Sequence, residues 1–229
     1  LHTLEDLRGI LSLTYHTSIQ GIELILKYDP RNTDEAYIEF IESVPIVSRL
    51  TVHCAPTAKE LVATFGCSDE SKASLVKKVA MIEQRITSEH HCGVINTGSL
   101  TPPTGTVFFE NRFYNGCLNR KISIDAEGYI KNCPSMRVSF GHHRETSLME
   151  IAMDNEFQSM WHIKKDTIRQ CKDCEFRYAC TDCRAYVETP NDKLSKPLKC
   201  GYDPYTGTWE EWDRNPAKEW AIKHYALDI

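Results

Sequence analysis

The chain has 229 residues, 41% of them hydrophobic and 26% charged, with a formal charge of −5. That composition supports a buried core in one large domain or two small ones and excludes a globally disordered chain. No basic run exceeds a pair such as Lys77-Lys78 or Lys164-Lys165, so the basic stripe of a nucleic-acid binder is missing. No apolar run approaches the roughly 18 residues of a membrane span, and no signal-peptide pattern opens the chain. The expected setting is cytoplasmic, without nucleic acid or membrane as partner. The first residue is Leu1 rather than Met, which suggests a fragment or a trimmed chain.

In chain order, the first half reads as alternating strands and helices. GIELILKYD (21–29) and SRLTVHCAP (48–56) are short apolar runs of strand character. Between them NTDEAYIEFIESVP predicts a helix, capped at Asn32 or Thr33 and ended by Pro45. SKASLVKKVAMIEQRI (71–86) predicts a second helix, with Leu75, Val76, Val79, Ala80, Ile82 and Ile86 at 3.6 spacing. HCGVINTG (91–98) predicts a third strand. Strand–helix–strand repetition implies a parallel sheet, with too few units to close a barrel.

Composition shifts at NTGSLTPPTGT (96–106), a linker or long turn. It divides the chain into an α/β scaffold, 1–106, and a cysteine-rich region, 107–229. In the latter, KISIDAEGYIKNC (121–133) predicts a β-hairpin turning at Ala126-Glu127-Gly128, with Cys117 before it and Cys133 after it. A helix over 147–170 then leads to CKDCEFRYACTDCR (171–184).

Ten cysteines is a high count, and seven fall late: Cys117, Cys133, Cys171, Cys174, Cys180, Cys183 and Cys200. Without a secretory signal, such clustering argues for metal ligation over a disulfide framework. Two CxxC pairs five residues apart suit one tetrahedral zinc or iron–sulfur ligation, which takes four thiolates per cluster. Zinc leaves Cys117, Cys133 and Cys200 unexplained. Two clusters use all seven and fall one ligand short, provided Cys183 crosses to join the hairpin pair, as the last cysteine does in two-cluster ferredoxins.

The order Cys117-x10-Gly128-x4-Cys133, then Cys171-x2-Cys174-x5-Cys180-x2-Cys183, then Cys200 resembles the seven-cysteine SPASM domain over residues 110 to 205. That domain usually follows a radical S-adenosylmethionine barrel in peptide- and protein-modifying enzymes. The resemblance therefore implies an α/β fold: partial barrel-like βα units followed by a cysteine-rich SPASM domain of hairpin, helices and loops. It implies two [4Fe–4S] clusters, the first on Cys117, Cys133 and Cys183, the second on Cys171, Cys174, Cys180 and Cys200. Two features depart from the pattern. Only Thr181 and Asp182, rather than three residues, separate the last pair. FFENRFYNG (108–116) also lacks the fourth cysteine of the first cluster, which leaves that place open to substrate or to Cys92, His91 or Glu110.

No CxxxCxxC loop occurs in the 229 residues. RQCKDCEFRYACTDCRAY and KPLKCGYDPYTGTW are similar to the SPASM protein of grasp-with-spasm peptide systems. This implies maturation of a ribosomally made peptide, by recognising the precursor peptide or assisting an ATP-grasp ligase. The competing readings are the C-terminal part of a radical S-adenosylmethionine peptide-modifying enzyme and a structural zinc module that binds a partner.

Elsewhere the plain expectations prevail. Cys54, Cys67 and Cys92 read as small buried residues. His90-His91 and His142-His143 read as surface pairs, and Arg177 and Arg184 as solvated or balancing cluster charge. Tyr202, Tyr205, Trp209, Trp212 and Trp220 read as packing of a terminal segment. No general acid, base or nucleophile stands out.

Overall fold

The computed structural model describes residues 3–14, 19–65, 75–100 and 102–227. The chain forms two compact units, 1–86 and 87–229. They divide well ahead of the boundary that the Thr/Gly/Pro-rich stretch suggests. Among the described residues no helix is long and apolar enough to cross a membrane.

The first unit is a mixed α/β layer. α1 (Leu4–Ser12) opens with a capping box in which Thr3 and Asp6 satisfy each other's backbone amides. After β1 (Ile22–Lys27) comes α2 (Asp34–Ser43), where the Thr33 side chain accepts from the amide of Ala36. β2 (Val47–His53), β3 (Lys59–Phe65) and β4 (Leu75–Ile82) complete an open four-stranded sheet in the order β1-β2-β4-β3. β1, β2 and β4 run parallel and β3 is antiparallel to β4. Its core joins Tyr37, Phe40 and Ile41 of α2 to Val47, Leu50 and Val52 of β2 and Val79 of β4, all almost fully buried.

Three expectations are corrected here. Residues 75–82 form a strand, not part of a helix. The 3.6-residue reading of 71–86 was available because inward-facing Lys77 interrupts the apolar alternation, and Val79 and Met81 continue it. Lys77 is only 4% exposed, and its Nζ donates to the carbonyls of Ile41, Val44 and Pro45 at 2.9–3.1 Å. It thus satisfies carbonyls left over at the C-terminal end of α2. With β3 and β4 forming a hairpin, only one strand–helix–strand unit remains, and the sheet is open, with no closed barrel among the described residues. Finally, 91–98 is not a strand. Glu89–His91 and Thr97–Ser99 are single 3₁₀ turns, and Ile95 makes one isolated parallel bridge to Cys200.

The second unit has little regular structure. α3 (Gly105–Phe113), capped by Thr104, starts inside the stretch expected to be a linker. The expected hairpin is present as β5 (Ser123–Ile124) and β6 (Ile130–Lys131). Its turn needs glycine: Gly128 has φ +94°, and a Cβ there would lie 2.5 Å from His142 Nε2. The Asp125 carboxylate accepts from the amides of Glu127 and Tyr129 and closes the loop. The helix expected over 147–170 is broken into α4 (Leu148–Ala152), α5 (Asn155–Ser159) and 3₁₀ turns at 160–162 and 165–167. Asp154 explains the break, since its side chain caps the amide of Phe157 and starts a new helix. β7 (Tyr202–Asp203), β8 (Thr208–Trp209) and α6 (Glu219–His224) close the chain.

Candidate metal centres

The cysteines of the second unit gather into two separate sets. Cys117 and Cys133, from the two ends of the hairpin, line a cavity of about 230 Å³ together with Cys183 and Cys92. Cys171, Cys174, Cys180 and Cys200 line a second, tighter cavity of about 20 Å³, walled by Ile95, Phe176, Tyr202 and Trp209. Of the seven cysteines singled out by spacing, Cys117, Cys133 and Cys183 thus line one cavity and Cys171, Cys174, Cys180 and Cys200 the other. The nine described cysteines are all free thiols; Cys67 lies outside the described residues.

The two-residue spacer within Cys180-x2-Cys183 carries the division. Asp182 adopts φ +68°, a left-handed conformation that Asp tolerates better than most residues. The turn sends Cys180 into one cavity and Cys183 into the other. The Asp182 carboxylate is buried and fully engaged. It accepts from Lys165 Nζ at 2.8 Å, Arg184 Nη2 at 2.9 Å and Asn115 Nδ2 at 2.7 Å. Burial pushes this carboxyl up, but Lys165 and Arg184 more than offset it and hold the group below the usual carboxylate range. Burial likewise pulls Lys165 down, and Asp182 raises it above an ordinary lysine. The ion pair stays charged. Lys165 Nζ also lies 3.8 Å from Cys171 Sγ, a charge-assisted contact to the second set. Arg184 is therefore not a solvated residue, since it is 7% exposed and lines the first cavity beside Asp182.

Asn115 is the hub of the first set. Its Oδ1 accepts from the amides of Cys117 and Leu118, while its Nδ2 reaches Ile163 O and Asp182. It fixes the turn that presents Cys117. Sequence reasoning passed over Asn115, Lys165 and Asp182, because a polar residue bears no mark of burial until its partners arrive from elsewhere in the chain.

Cys92 was expected to be a small buried residue. It is exposed and lines the first cavity. Cys54, expected to be buried, is half-buried within the first unit. His91 pairs with Thr87 Oγ1 and Glu110 accepts from Asn119; neither lines the first cavity. His142 stacks on His143 with centroids 4.8 Å apart, and its Nε2 meets Glu127 O at 3.1 Å, a hairpin contact remote from both sets. In the terminal segment, Tyr202 and Trp209 pack against Phe176 beside the second set, and Trp212 packs against Tyr186 and Leu198; Tyr205 and Trp220 stay exposed.

Burial raises the Cys117 thiol to about 12, and the Cys171 and Cys183 thiols to about 11. Bare thiolates are unfavourable there, and a metal centre that takes up the sulfur charge reverses this. Four thiols to a cavity is also the donor set of a [4Fe–4S] cluster. Among the described residues no group of three or more His, Cys, Asp or Glu closes on the point that a single ion requires.

No curated protein and no solved structure matches the chain. Residues 117–175, from the first hairpin cysteine through the first CxxC pair, match the model of SPASM, an iron–sulfur cluster-binding domain.

Proposed function

We propose that this protein carries two [4Fe–4S] clusters and serves the maturation of a ribosomally synthesised peptide, recognising the precursor or assisting an ATP-grasp ligase. The observation that carries the proposal is the partition of the cysteines between two cavities, Cys180 lining one and Cys183 the other. Cys117, Cys133 and Cys183 serve the first cluster; Cys171, Cys174, Cys180 and Cys200 serve the second. When bound, such clusters supply one-electron chemistry. The residues of this chain orient the sulfurs, and the Lys165–Asp182–Arg184 network sets the charge between them.

Two features support a peptide partner. The domain matched at 117–175 is typical of proteins associated with radical S-adenosylmethionine peptide modification, and the cysteine-rich stretches are similar to grasp-with-spasm proteins. In addition, an apolar groove of about 200 Å³ runs past the first cavity, lined by Met136, Val138, Phe140, Met160 and Tyr225. Ser135, Arg184 and Ala185 line both. A groove of this kind accepts an apolar side chain of an extended segment.

Iron and sulfide quantitation on anaerobically purified protein tests the clusters: about eight irons per chain are expected for two four-thiolate sites. One equivalent of zinc without iron overturns the reading. Titration with synthetic extended peptides that carry an apolar side chain tests the partner class, and the Val138→Asp variant is expected to weaken their binding.

A further inference from the structure

We infer that Cys92 is the fourth thiolate of the first cluster, reaching it from a segment 25 residues ahead of Cys117. The inference rests on the two-cluster reading and adds a ligand that the SPASM-like spacing does not contain.

Two features hold Cys92 at the cavity, the close approach of Gly93 and the anchoring by Lys199. Its neighbour Gly93 has φ +85°, and a Cβ at that position would lie 2.8 Å from Cys183 Sγ. Any other residue would collide with a sulfur of the site or strain the backbone, so the chain passes the first cavity at the closest distance a glycine permits. The segment is also pinned from behind. Lys199, 2% exposed, donates from Nζ to the carbonyl of His90 and, at 3.0 Å, to that of Cys92. Its ammonium lies 4.3 Å from the Tyr186 ring centroid, a cation–π contact that fixes its position. Further on, the Ile95 amide donates to Lys199 O at 3.0 Å, and Ile95 bridges to Cys200.

A buried lysine engaged with two carbonyls of one surface turn is a costly arrangement. Chain continuity alone does not require it. It makes sense if the turn must present a side chain at a fixed place. The cavity holds Cys92, Cys117, Cys133 and Cys183, which raises the three assigned sulfurs to the four that a [4Fe–4S] cluster takes. Glu110 and His91 do not line the cavity and are engaged elsewhere, and the Asp182 carboxylate is taken up by Lys165, Arg184 and Asn115. Cys92 is also the one exposed thiol of the four, so the first cluster meets solvent through this ligand.

Two measurements on the anaerobic holoprotein test this. In the first, iodoacetamide labelling is read by mass spectrometry before and after iron is removed by chelation. A ligand is protected despite its exposure, so Cys92 is expected to stay unmodified in the holoprotein and to react once iron leaves. Full labelling of Cys92 in protein that retains its iron overturns the inference. In the second, Cys92→Ala is compared with Cys54→Ala, iron and electron paramagnetic resonance being recorded for both. Cys92→Ala is expected to alter the first cluster alone: iron falls from about eight toward about four per chain, or the first cluster's signal changes. Cys54→Ala is expected to match wild type. Wild-type iron and spectra in Cys92→Ala overturn the inference and leave the two-cluster reading standing. Wild-type protein without iron overturns both.

Discussion

The two units reach order by different physical means. In the first, Phe40, Ile41, Leu50, Val52 and Val79 are fully buried between one helix layer and one sheet, and apolar burial is the main stabilising force. In the second, among the described residues, no strand exceeds two residues and no helix exceeds nine. Its interior contains sulfurs and buried polar anchors: Asn111, Asn115, Asn132, Lys165, Asp182, Arg184, Lys199 and Lys218. A chain with so little ladder or helix bonding depends on specific side-chain partners, and on the proposed reading those partners converge on metal.

The largest expected effect separates the units directly. Removing iron with a chelator under reducing conditions is expected to unfold much of 87–229 and spare 1–86, because metal binding and folding are one equilibrium in small metal-stabilised units. Hydrogen exchange resolved by peptide checks this, and equal protection in both units after chelation would erase the contrast. Next come single substitutions in each interior. Asp182→Ala leaves Lys165 and Arg184 as buried cations without their shared anion, expected to cost about 4 kcal/mol and to disturb both metal centres at once. Phe40→Ala empties the core of the first unit at a cost of about 4 kcal/mol, but is expected to leave iron content unchanged. Thermal unfolding followed at a cluster absorption band and by far-ultraviolet circular dichroism reads the two events separately.

Smaller effects sharpen the same contrast. Lys77→Met keeps the stem packed and strips three carbonyls of their donor, expected to cost about 2 kcal/mol in the first unit. In the hairpin, the Lys131 ammonium beside Asp125 holds its carboxyl below the usual range. A carboxyl depressed by folding contributes stability above its unfolded value, near pH 4, and loses it as pH falls through the folded value. Asp125→Asn is therefore expected to flatten the acid limb of hairpin stability below about pH 4, measured as unfolding midpoint against pH beside wild type.

The same contrast governs what was legible. β1, α2 and β2 announce themselves through apolar runs, the Thr33 cap and Pro45, because burial there follows periodicity. β4 was misread at the one position where the rule fails, since Lys77 faces inward to serve α2. The clustering of the seven late cysteines was legible from spacing, and so was the hairpin from the alternation around Gly128. Cys92 was not. Its place at the first cavity depends on Lys199 and Ile95, a pairing across more than a hundred residues that no local pattern announces. Asn115 and Asp182 stayed hidden for the same reason.

The position of Lys199 links the two sets of cysteines, since it lies beside Cys92 in space and precedes Cys200 in the chain. Three thiols of the second set lie within residues 171–180, so closing that site costs little loop entropy. The first set draws on segments spread from 92 to 183 and is slow to gather unaided. Seating Cys200 in the second site carries the adjacent Lys199 to its station behind Cys92. On the proposed reading, the compact set is the easier one to close, and its Cys200 brings with it the lysine that holds Cys92 at the dispersed set.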